Sequence, residues 1–176
     1  MKSKQPKKEK AGKRGGRPQP ARNEVQGDTY RPKKSKVEVK ASAATACSQC
    51  KAVFRDGRWR WPEVAPATGR SRLLCPACQR IRDDYPAGEV HVAGAFARTH
   101  RAEVLARIHH VEQRERAERP LNRLMEIREA GDELVVTTTD IHLAHALGKA
   151  LQDAFKGELI APWSESGDLL RVRWTR

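Results

Sequence analysis

Four cysteines carry the most specific chemistry in this 176-residue sequence: Cys47, Cys50, Cys75 and Cys78, arranged as C-x2-C, 24 intervening residues and C-x2-C. Two residues between thiols let a tight turn aim both sulfurs at one point while backbone amides face them. Two such pairs supply the four donors of a tetrahedral ion. A disulfide reading suits an oxidising compartment, and a redox pair calls for a thioredoxin-like strand and helix around one C-x2-C; the sequence offers neither. The four thiols are therefore the expected ligands of a structural Zn2+. Four thiolates close the coordination shell and leave no position for an activated water, so the expected role of the ion is to build a fold. A segment of about 50 residues lacks core enough to fold unaided.

Between the two pairs runs "VFRDGRWRW". It reads as a hairpin turning at Asp56-Gly57, since Asp-Gly suits a tight turn. Side chains alternate along a strand, which places Trp59 and Trp61 on one face and Arg58 and Arg60 on the other. The tryptophans either pack against the cysteine loops as a small core or join the arginines in a surface for RNA, where arginine meets phosphate or stacks on bases. Arg70, Arg72, Arg80 and Arg82 add positive charge around the site.

The elements that must position these residues follow from periodicity. A short turn of helix follows the second pair, then a break at Pro86 to Gly88 and a brief strand at Val90 and Val92. A helix is expected from about Ala95 to Arg116, with Ala97, Val104, Leu105, Ile108 and Val111 as its apolar stripe and Pro120 as its stop. From Leu121 the pattern shifts to two strands joined at Gly131-Asp132, with Met125, Ile127, Leu134 and Val136 pointing inward. A second helix, capped by Thr139 or Asp140, buries Ile141, Ala144, Leu147, Leu151 and Phe155 and ends at Gly157. Two final strands turn around Ser166-Gly167-Asp168, and Pro162 marks the first as an edge strand. Hydroxyls at "TTTD" suit helix capping better than anion binding, because Asp140 would repel an anion. His109, His110, His142 and His145 read as surface residues without a ligand spacing.

The expected fold class is thus α+β: a zinc ribbon of short strands with two C-x2-C knuckles over residues 41–92, a helix over 93–120, and a ββαββ unit over 121–176 with its helix across one face of a four-stranded sheet. Residues 1–40 precede these as a tail. That tail holds 14 of the 35 basic residues and only 4 of the 22 acids, so most of the net charge of +13 resides there. Rich in Lys, Pro and Gly and poor in apolar residues, it reads as disordered in isolation. Lys33, Lys34 and Lys36 belong to it, and clustered cations of this kind either remain solvated or bind polyanions by releasing counterions. No apolar run is long enough to span a bilayer and no export signal opens the chain, so a cytoplasmic protein without a membrane partner is expected. A nuclear address or a membrane-surface patch ranks below that, with no lipidation motif or basic amphipathic helix to support it.

The order of these parts, a C-x2-C pair, an aromatic and basic hairpin, a "CPxC" pair and a small α/β unit carrying "VVTTTDIHLAHALGKAL" and a "GEL" strand, resembles the archaeal and eukaryotic family of large ribosomal subunit export adaptors and their short bacterial relatives. The likeness covers about residues 45 to 174 and misses the lysine-rich tail. Those adaptors carry more cysteines before this point and further domains after it, so nuclear export does not carry over. What the resemblance implies is ribosome binding. The resulting expectation is a non-enzymatic protein that docks on the ribosome or on structured rRNA, in subunit maturation or in protecting idle ribosomes. Arg58, Trp59, Arg60, Arg80, Arg82 and the tail lysines are the candidate nucleic-acid contacts, and ribosomal proteins are further candidate partners. The alternative is a zinc-ribbon module that binds a protein partner and uses the tail as a nonspecific tether. Catalysis finds no support: the sequence has no G-x-x-x-x-G-K-[ST], G-x-S-x-G or H-E-x-x-H, and no small-molecule substrate is expected.

Overall fold

The computed structural model describes residues 45–63, 73–162 and 169–176. The lysine-rich tail with Lys33, Lys34 and Lys36, the pair Arg70 and Arg72, and the expected turn at Ser166-Gly167-Asp168 lie outside the described residues. Three short strands, β1 (Thr45–Ala46), β2 (Val53–Arg55) and β3 (Arg58–Arg60), form an antiparallel sheet in that order. The hairpin between β2 and β3 turns at Asp56 and Gly57, whose φ values of 52° and 77° are both left-handed. Such a turn matches the natural twist of the strands it joins, and it needs residues that tolerate positive φ at both central positions.

The cysteine-bearing segment closes with helix α1 (Pro76–Asp83), which starts inside the second C-x2-C instead of after it. Proline at its first position has a preset φ and lacks only an amide that would be unpaired there anyway. The second cysteine pair is therefore held by a helix N-terminus, not by a second loop knuckle as the ribbon reading expected.

Strand β4 (Gly88–Ala93) leads to helices α2 (Ala95–Thr99) and α3 (Arg101–Glu118). The single long helix expected from Ala95 is broken at His100. There the Thr99 hydroxyl donates to the carbonyls of Ala95 and Phe96, at 3.0 and 3.2 Å, competing with the backbone ladder. Beyond the break, Val104, Ile108 and Val111 are buried, as their spacing predicts.

Strands β5 (Leu124–Ala130) and β6 (Glu133–Thr138), helix α4 (Ile141–Phe155), and strands β7 (Glu158–Ile160) and β8 (Leu170–Thr175) complete the chain. The sheet they form has five strands, not four, in the order β5-β6-β4-β8-β7. The brief strand at Val90 and Val92, assigned from sequence to the cysteine-bearing segment, lies at its centre. It pairs antiparallel with β6 and parallel with β8. A six-residue strand cannot announce this, because centrality depends on partners about 45 and 80 residues downstream. Strand β7 is an edge, as Pro162 suggests.

One face of the sheet is covered by α3 and α4. Val90, Val92, Val136, Val172 and Trp174 meet Val104, Ile108, Leu143, Leu147 and Leu151 in one apolar core. Trp174 is fully buried and its indole nitrogen donates to the Lys156 carbonyl at 2.7 Å, at the end of α4. Helix α4 approaches the sheet closely at Gly148, where a Cβ would sit 2.5 Å from Val172 Cγ1. At its start, Asp140 is the cap: its Oδ1 accepts from the amides of His142 and Leu143. One expectation fails in β5. A bulge between Leu124 and Glu126 shifts the alternation, so Leu124 and Ile127 pack on the core and Met125 does not. The opposite face is polar, with His91 3.3 Å from Glu133, Arg171 3.4 Å from Glu89, and Arg173 also bonded to Glu133. Among the described residues no helix is long and apolar enough to cross a membrane.

Candidate metal centre

Strand β1 delivers Cys47 into a turn that closes when the Cys47 amide donates to Ala52 O at 2.7 Å and the Lys51 amide to Cys47 O at 3.1 Å. Lys51 takes a left-handed φ of 67°, which curls the chain so that Cys50 faces back toward Cys47. From the other side, Cys75 caps α1: its sulfur accepts from the Cys78 amide at 3.5 Å, and its own amide donates to Cys47 Sγ at 3.3 Å. The result is one cluster in which all four sulfurs lie within 4.8 Å of one another. A tetrahedral ion with metal–sulfur bonds of about 2.3 Å separates its ligands by about 3.8 Å. The 3.6 Å between Cys50 and Cys75 fits that edge, and it is far from a disulfide bond of about 2.05 Å. All four cysteines are free thiols, three of them buried.

The donor set therefore fits a thiophilic ion. Backbone amides on the sulfurs and the positive end of α1 both favour thiolates. The hydrogen bond shared with Cys75 holds Cys50 well below the usual thiol range, and the same bond pushes Cys75 far above it. Burial pushes Cys78 up to about 11.

Around the cluster lie Trp59, Leu74 and Leu121. Trp59 thus backs the metal loops, and it also meets Phe54 with ring centroids 5.5 Å apart. Trp61 plays a different part: its indole nitrogen donates to Arg116 O at 2.6 Å, at the end of α3. Arg116 and Arg123 stand over its ring at 6.0 and 5.6 Å. One tryptophan therefore supports the metal loops and the other joins the hairpin to the α/β unit.

The arginines that sequence singled out separate into three kinds. Arg58 and Arg60 are exposed on the hairpin, side by side on one face. Arg82 is exposed but held by both carboxylate oxygens of Asp83, at 2.8 and 3.1 Å. Arg80 is a correction: only 4 % exposed, it donates to Tyr85 O at 3.1 Å and lies over the Tyr85 ring, so its guanidinium is turned inward and is not presented to a phosphate.

The residue that sequence reasoning missed is Arg123. It is buried, and its Nη1 donates to Cys78 Sγ at 3.3 Å from 45 positions away. The three neighbouring sulfurs of Cys50, Cys75 and Cys78 outweigh the effect of burial and push the guanidinium up, keeping it charged. Nothing in the spacing around Arg123 marks it, because its partner belongs to another element. No family model, curated protein or solved structure matches the chain.

Proposed function

We propose that the four cysteines hold a structural Zn2+ and that the protein is a non-enzymatic, cytoplasmic factor that associates with the ribosome or with structured rRNA. The observation that carries this reading is the hairpin: the cluster of four sulfurs anchors Trp59 from behind and leaves Arg58 and Arg60 exposed in front. Two guanidiniums fixed on a metal-braced strand suit phosphate, which demands geometry as well as charge. The concentration of positive charge in residues 1–40 supplies a sequence-independent contribution. The resemblance to ribosomal subunit export adaptors supports the choice of rRNA among polyanions. Four protein thiolates leave the ion no open position, which supports a role in folding rather than catalysis.

The zinc-loaded protein is expected to cosediment with ribosomes and to leave the pellet as salt is raised. Absence of the protein from the ribosomal pellet at low salt would sink this reading. A second reading, a module that docks on a protein, is favoured by Ile81 near the end of α1 and Tyr85 just beyond its left-handed cap at Asp84, which are 37 % and 39 % exposed. A ribosome-free complex that survives high salt and is lost in Ile81→Ser would favour it over the first.

A further inference from the structure

Arg123 is 6 % exposed, which leaves its guanidinium almost wholly out of water. A buried cation is costly unless it is paired. Its Nε donates to Pro120 O at 2.6 Å and its Nη1 to Cys78 Sγ, while Nη2 is buried and has no partner among the described residues. No carboxylate pairs with it among the described residues; the negative charge that acts on it comes from the sulfurs of Cys50, Cys75 and Cys78. A divalent ion with four thiolates carries a net double negative charge, itself expensive to bury. Each side therefore supplies what the other lacks.

We propose that Arg123 is the charge-compensating outer-shell residue of the metal centre, and that through it the bound metal and the α/β unit stabilise each other. The inference rests on the metal reading above. Its second half follows from where Arg123 is rooted. The Arg123 amide donates to Thr139 Oγ1 and the Thr139 amide returns a bond to Arg123 O, both at 3.0 Å. The Thr139 hydroxyl also reaches Leu121 O at 2.6 Å, and the next residue, Asp140, caps α4. The cation is thus fixed to the start of α4 by short, buried bonds, and Leu121 packs directly on the cysteine cluster. Without the ion, the excess negative charge of the four-thiolate centre is gone, while the guanidinium stays buried against Cys78 Sγ. The energetic link is reciprocal: whatever the metal gains from the folded α/β unit, the α/β unit gains from the metal.

The test uses the full chain with Zn2+ or Co2+ alone as the probe, in wild type, Arg123→Gln and Arg123→Lys. Outer-shell partners typically contribute about 10- to 100-fold in metal affinity. Arg123→Gln is expected to weaken Zn2+ by that factor in competition with a chelator, with Arg123→Lys between the two. Hydrogen bonds to thiolate lower its donor strength, so the sulfur-to-Co2+ charge-transfer band is expected to move to lower energy in Arg123→Gln. Chelating the metal is expected to lower the melting temperature of α4 and its sheet in wild type, and to lower it less in Arg123→Gln. An affinity within about twofold of wild type, with an unmoved band, would overturn the inference while leaving the metal site intact. Should Arg123→Gln fail to fold, the band and the affinity of Arg123→Lys decide in the same way. A wild-type chain that takes up neither ion would instead overturn the metal reading itself.

Discussion

Protons and a metal ion compete for the same sulfurs at this centre. Cys75 and Cys78 are both pushed above the usual thiol range, Cys75 by its bond to Cys50 and Cys78 mainly by burial. Both thiols are thus protonated at neutral pH before metal binds and deprotonated after, so binding releases protons. Apparent affinity is then expected to fall as pH drops, because protons displace the ion from the sulfurs. Calorimetric titration with Zn2+ in two buffers of different ionisation enthalpy is expected to show net proton release; proton uptake would contradict these assignments. Cys75→Ser removes the sulfur that bonds to Cys50 and caps α1. Elemental analysis is expected to find its zinc lost, with the far-ultraviolet dichroism of the α/β unit largely kept, since that unit has its own apolar core.

Helix α4 and the strands beneath it are matched by small residues as much as by large ones. Gly148 lets the helix settle on Val172 and Leu159, and a side chain there has their branched methyls in its way. Gly148→Val is expected to destabilise the protein by about 1–3 kcal/mol through overpacking, seen as a lower urea midpoint with zinc still bound. An unchanged midpoint would mean that α4 can lift from the sheet without cost. The hairpin obeys a different constraint: two successive left-handed residues at Asp56 and Gly57 set the register that pairs Arg55 with Arg58 and Phe54 with Trp59. That register is what keeps Arg58 and Arg60 facing outward while Trp59 turns to the cysteines. At the edge of the larger sheet, the bulge at the start of β5 exchanges Met125 for Leu124 in the core, a change of parity that a strict two-residue alternation does not reveal.

At the scale of the whole molecule, the separation of charge along the chain makes a prediction of its own. Deleting residues 1–36 removes most of the excess positive charge, so RNA affinity is expected to fall and the slope of log K against log salt to flatten, by about 0.7 to 0.9 for each phosphate that the shortened chain leaves unneutralised. An unchanged slope would assign phosphate binding to the folded part. Which features were legible beforehand follows from the range over which each is encoded. The four ligands, the Asp56-Gly57 turn, the Asp140 cap and the buried stripe of α4 all rest on spacings of a few residues, and local backbone geometry translates such spacings directly into position. The sequence by itself therefore determined the donor set, the α+β class and the faces of the helices. Only the tertiary structure decided that Gly88–Ala93 is the central strand, that Arg80 turns inward, and that Arg123 reaches the sulfurs. Each of these depends on contacts between segments distant in the chain, where burial and charge pairing outweigh any local pattern.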